Sequence, residues 1–157
     1  MLNHILLKQY IDEKTNDLIV VRMFLAFGVS ISVIIPALFL NANGFSNSFI
    51  GLIMGVATLI SLIISVLSTI ALEKINEYKI FLSSLLIPFL FLLTLAFYPS
   101  VSIFIAFLIV SAITTTVREN SFSIIFKDAT KKADFTNKES LMYSFLNIGW
   151  FIGPIMG

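Results

Sequence analysis

Arg118 closes a stretch, 80–117, that carries no charge over 38 residues. Ser111 and Thr115 stand before it at i and i+4, with Arg118 at i+7, so a helix sets all three on one face. A guanidinium at the edge of an apolar run has two readings. It snorkels to the headgroups as an interfacial cation, alone or paired with Glu119. Otherwise it faces a bundle interior, where an ionisable group marks a functional site. Two further polar sets accompany it. Gly51, Gly55, Thr58, Ser61, Ser65 and Ser68 share one helical face, and so do Ser140, Ser144 and Asn147. The first set reads as a helix-packing seam, as part of the lining of a water-accessible cavity, or as both. Arg118, Asn147, Ser61 and Ser65 are the candidate cavity-lining residues.

Covalent chemistry is not expected of these residues. The chain has no cysteine, and its one histidine, His4, stands near the terminus as a solvent-side residue. No span pairs carboxylates, and no glycine-flanked serine offers a nucleophile. No enzyme activity, metal site or cofactor is therefore expected. A net charge of +1 argues against a nucleic-acid partner.

The elements that hold these side chains must be membrane helices. The 157 residues are 58% hydrophobic and 12% charged, with a mean hydropathy of +1.00. Soluble domains are roughly 45–50% apolar and about 25% charged, so the expected solvent is lipid. The fold class is all-α: a polytopic membrane protein of about five transmembrane helices. Residues 1–17 form a mixed N-terminal segment with the spacing of a short interfacial helix. The spans are expected near 18–40, 49–72, 80–97, 101–126 and 137–157. Arg22 sits one turn inside the first, and Pro36 is placed to bend it. Ser46 or Ser48 caps the second. Tyr98-Pro99-Ser100 breaks the long apolar run into a hairpin, and Pro88 is placed to kink the third span. Thr136 and Glu139 have the spacing of a capping box at the start of the fifth.

All ten lysines and arginines and all nine acids lie in the N-terminal segment, around Glu73, after Phe126, or at the span ends beside these. The turns at 41–48 and 98–100 carry none. By the positive-inside rule the N-terminus and both charged loops are cytoplasmic, in a multi-pass protein of the cell membrane.

The last stretch, Gly149-Trp-Phe-Ile-Gly153-Pro154-Ile-Met-Gly157, stacks glycines every fourth residue and then bends at a proline. A small-residue stripe lets a neighbouring helix approach closely. This run resembles the fifth-span motif of the major facilitator superfamily. Gly44-Phe45-Ser46 with Ile50-Gly51 is similar to that family's entry to its second helix. Glu73, Lys74 and Lys79 fall in its acidic–basic loop between the second and third helices, with Asn76 where a glycine is usual. The resemblance implies a hinge or packing role for Gly149, Gly153, Pro154 and Gly157, the stripe packing against the opposite half. It implies a cytoplasmic gating role for Glu73, Lys74 and Lys79. The family's fourth-helix arginine, tied to proton coupling in some drug antiporters, is followed by a Gln-Gly pair. Arg118 is followed by Glu119-Asn120, and no proton-transfer role is carried over to it.

Such transporters hold twelve spans in two halves, with the substrate between them. The expectation is thus an incomplete N-terminal six-helix half, a fragment whose partners are the lipid bilayer, the missing C-terminal half and an unidentified small-molecule substrate. Its expected function is the N-terminal part of a secondary active transporter moving a small solute by alternating access. The alternative is a small multi-span scaffold or assembly protein that packs through its glycine-rich helix faces.

Overall fold

A computed structural model describes residues 2–32 and 34–156, without the side chains of 2–12, 32, 154 and 156. Gly157 and the side chains of Pro154 and His4 lie outside the described residues. The chain order is α1 (Leu2–Ser32), α2 (Ile35–Ala42), α3 (Asn47–Leu72), α4 (Glu77–Phe97), α5 (Val101–Ala129) and α6 (Phe135–Met156), with no strand among the described residues. Among the described residues, four segments are long and apolar enough to cross a membrane: Glu13–Ala42, Asn47–Leu72, Glu77–Phe97 and Val101–Ala129. The fifth expected span, α6, has the length at 22 residues, but its polar residues keep it out of that apolar set.

Local chemistry sets these boundaries. Helix runs unbroken through the 17/18 boundary, so the N-terminal segment and the first span share α1. The break comes before Pro36, which falls in the first turn of α2, where its missing N–H costs nothing. At the other end of α2, Gly44 N–H bonds to Asn41 O at 2.9 Å and Phe45 N–H to Leu40 O at 3.1 Å. That pairing is a Schellman motif. It needs a left-handed residue, which Gly44 supplies at φ 84°. Ser46, not Ser48, caps α3 by accepting from Phe49 N–H at 3.3 Å. Asn76 caps α4 through Tyr78 N–H and Lys79 N–H at 3.1 and 3.2 Å, so that helix begins three residues before the expected 80. Helix α4 runs through Pro88. The capping box expected at Thr136 differs: α6 starts at Phe135, so Thr136 lies inside the first turn.

The chain divides into two compact units, 1–35 with 126–157, and 36–125. In the first, α1 packs on α6. Ile19, Ala26 and Ser30 on α1 are buried, as are Met142, Leu146, Gly149 and Gly153 on α6. Both sets fall on one helical face at spacings of three, four, seven and eleven. Asn16 meets Lys138 and Ser30 meets Gly149, so numbers rise together and the two helices run parallel. Because lipid is as apolar as leucine, close packing rather than burial must hold such a pair. The glycines make that packing possible. A Cβ added at Gly149 would lie 3.4 Å from the Ala26 Cβ, and one at Gly153 only 2.6 Å from the Ser30 Cβ.

The second unit centres on Leu40, Ile50, Ile53, Phe104 and Leu108, with the Phe39 and Phe104 rings 4.1 Å apart. Ser61 bonds to Ala112 and Asn120 to Ser68, so α3 and α5 also run parallel, as alternate passes of a serpentine chain do. On the outer face of α3, Leu52, Val56, Leu59, Ile63, Val66 and Ile70 are all exposed at helical spacing. In water such a stripe would drive aggregation; it suits a helix solvated by acyl chains.

Candidate functional site

The small-residue face of α3 does not behave as one seam. At Gly51 and Gly55 a Cβ would meet nothing within 4 Å, so this end is open among the described residues. Further along, the face meets α5 around a groove of ≈ 300 Å³, lined by Thr58, Ser61, Ser111, Ala112, Thr115 and Thr116 with apolar neighbours. Most of these hydroxyls are already engaged as donors. Thr58 donates to Met54 O and Thr116 to Ala112 O, both at 2.9 Å, and Ser61 crosses to Ala112 O at 3.4 Å. Each still offers oxygen lone pairs to the groove. The side-chain hydroxyls of Ser111 and Thr115, one turn apart, have no hydrogen-bond partner among the described residues. They are the groove's available donors. A groove with both donors and acceptors, set in apolar helices, is suited to hold water or the hydroxyl, amide or carboxyl groups of a small solute.

Below the groove, Asn120 clasps α5 to α3. Its side-chain amide donates to Ser68 Oγ at 2.7 Å and to Ser65 O at 3.1 Å. Ser65, expected to line a cavity, gives its carbonyl to this clasp and is absent from the lining of this groove. Nothing in the sequence reading singled out Asn120. The signal lay in one hydroxyl on α3, Ser68, with an amide at matching depth on α5, and the neighbouring arginine outweighed it. A separate apolar cavity of ≈ 230 Å³ lies beside the clasp, with Ser68 its one polar lining residue.

Arg118 is only 6% exposed, and its Nη2 lies 4.0 Å from Glu119 Oε1. Adjacent helical residues point apart, so this is a long contact between poorly facing groups. The helix continues to Ala129, which sets Arg118 eleven residues from its end, or about 16 Å. The two sequence readings both describe part of this position, since the guanidinium is buried and also reaches its neighbouring acid. It does not line the groove.

The other expected residues fall outside the groove as well. Glu73 ends α3, its N–H bonded to Ala71 O, and Glu73, Lys74 and Lys79 are all exposed. Asn147 is exposed on α6 with Ser140 and Ser144, while Gly149 and Gly153 on the same helix are buried. The partner of these glycines is α1. The Ser30 hydroxyl, 1% exposed, lies within reach of Phe27 O at 2.9 Å and Gly149 O at 3.0 Å. Among the described residues no group of acids and histidines is arranged to hold a metal ion.

The family model described as Major Facilitator Superfamily matches residues 18–157. The chain belongs to the major facilitator superfamily. Its members are transporters, and the match covers every span from the second half of α1 onward. No curated protein and no solved structure matches the chain.

Proposed function

We propose that this major facilitator chain is the N-terminal part of a secondary active transporter that moves a small solute by alternating access. The α3–α5 groove would form one wall of the solute path. The observation that carries this reading is the pair of hydroxyls without partners, Ser111 and Thr115, facing a polar groove in otherwise apolar helices. Polar surface at that depth is stable only against protein, water or solute. The exposed Ser140, Ser144 and Asn147 stripe on α6 asks for similar cover, and the remaining helices of the transporter would supply it. In this reading Glu73, Lys74 and Lys79 serve the cytoplasmic gate, and Gly149, Gly153, Pro154 and Gly157 the hinge or packing motif. The N-terminus is cytoplasmic and the protein is no enzyme. The scaffold alternative loses its α6 stripe, because Gly149 and Gly153 are already covered by α1, and keeps only the open Gly51 and Gly55 on α3.

The test is gradient-driven uptake. Membrane vesicles containing the protein at its native length are screened with labelled sugars, organic acids, amino acids and lipophilic cations under proton or sodium gradients. Protein-dependent accumulation is expected. Ser111→Ala with Thr115→Val should weaken apparent affinity about tenfold at equal protein amount, the worth of one to two hydrogen bonds. If no gradient drives any protein-dependent accumulation, the reading fails.

A further inference from the structure

The loop between α5 and α6 holds a cavity that the transport reading does not use. Its volume is ≈ 540 Å³, and Lys127, Asp128, Thr130, Lys132, Phe135 and Thr136 line it. That size falls within the roughly 300–1,000 Å³ usual for ligand pockets. Residues 127–138 carry four lysines against two aspartates. Two of the lysines are engaged elsewhere: Lys138 donates to Asn16 Oδ1 at 2.6 Å, and Lys131 has an interaction of its own. Lys127 and Lys132 are exposed, and among the described residues neither is held in an ion pair.

Position narrows the ligand. Helix α5 is long and apolar enough to cross a membrane and ends at Ala129, so the cavity stands at the end of a candidate span, where a crossing helix would leave the acyl region for the headgroups. The Phe135 ring packs 6.0 Å from that of Phe126 and gives the cavity an apolar floor. Two lysines beside one aspartate favour a phosphate diester, while Asp128 can accept from hydroxyls on the same headgroup. We propose that this cavity binds the headgroup of an anionic phospholipid with the chemistry of phosphatidylglycerol. Lys127 and Lys132 hold the phosphate, and Asp128 holds the glycerol hydroxyls. Basic pockets at helix ends are general sites for such lipids.

The experiment is lipid retention by the intact 157-residue chain in detergent, read by native mass spectrometry. The chain is offered equal amounts of phosphatidylglycerol, phosphatidylethanolamine and phosphatidylcholine, with and without millimolar inorganic phosphate. One tightly retained phosphatidylglycerol is expected. Lys127→Gln with Lys132→Gln should weaken retention roughly thirtyfold, each basic group near anionic lipid being worth about fivefold. Lys127→Arg with Lys132→Arg should keep it, and Lys74→Gln with Lys79→Gln should leave it unchanged. Equal retention of the three lipids, preference for the ethanolamine lipid, or no effect of the double glutamine variant would overturn the site. Displacement of the lipid by inorganic phosphate would assign the cavity to free phosphate instead and overturn the lipid. None of these outcomes depends on transport, so the site and the solute path stand or fall separately.

Discussion

Gly153 and Ser30 make the tightest fit in the first unit. A methyl group at Gly153 has no room, since the Ser30 Cβ would lie 2.6 Å away and contacts under 3.0 Å require backbone movement. Gly153→Ala should therefore cost about 1–3 kcal/mol through overpacking, read as a lower unfolding midpoint in detergent. Gly149→Ala, with 3.4 Å to the Ala26 Cβ, should stay much closer to wild type. Ser30→Gly in the Gly153→Ala background should recover most of the loss; if it does not, the clash is not the cause. The Asn120 clasp is a milder case. A double-mutant cycle with Asn120→Ala and Ser68→Ala should give a coupling of about 0.6 kcal/mol, as hydrogen bonds inside membranes commonly do. The sequence announced a close backbone approach at Gly149 and Gly153 through spacing alone. It did not announce which helix approaches, because the four-residue spacing of Ala26 and Ser30 on α1 is shared by small pairs on other helices, Gly51 and Gly55 among them. The Asn120 clasp was equally hidden, since its partners are 52 and 55 positions away.

Helices here begin and end where capping chemistry requires, which explains both the agreement and the offsets. Hydropathy located the apolar part of each helix, whereas hydrogen-bonding side chains decided the ends. Asn76 pulled α4 back to Glu77, and the loop lysines did not stop α5 before Ala129. Asn76→Ala should cost about 1 kcal/mol, and Asn76→Gly only a few tenths. Comparing the two by thermal unfolding checks whether the asparagine stands there as a cap, in the place where the family usually has glycine. Gly44→Ala should cost about 1–2 kcal/mol, because a left-handed alanine replaces a relaxed glycine. A wild-type midpoint for that variant would remove the Schellman turn as the determinant of α2's end. The α3 seam shows what periodicity cannot decide. One small-residue face reads the same along its length, yet it is open at Gly55, a groove at Ser61 and a clasp at Ser68.

Parallel packing of α3 with α5 in one unit, and of α1 with α6 in the other, is what alternate passes through a membrane produce. It fits the pattern of charges, in which alternate turns are charged and uncharged. Cysteines placed at Asn43 or Ser100 should react with an impermeant thiol reagent from outside the cell, and one at Lys131 should not. The reverse pattern would refute the cytoplasmic N-terminus. Fold class was legible because lipid exposure is written in composition. The groove was only partly legible, because it arises from residues some fifty positions apart whose register the sequence does not state. Helix α1 has a register of its own. It is fastened twice, by the Thr15 hydroxyl to Ala129 O at 2.9 Å and by the Ser30 hydroxyl to Gly149 O at 3.0 Å. The separation of fifteen positions corresponds to about 22 Å of helix. Removing one residue there would swing one fastening about 100° around the axis relative to the other, so only one of the two would close. The number of residues between Thr15 and Ser30 thus acts as a phase angle: side chains along this segment can be exchanged more freely than its length can be changed.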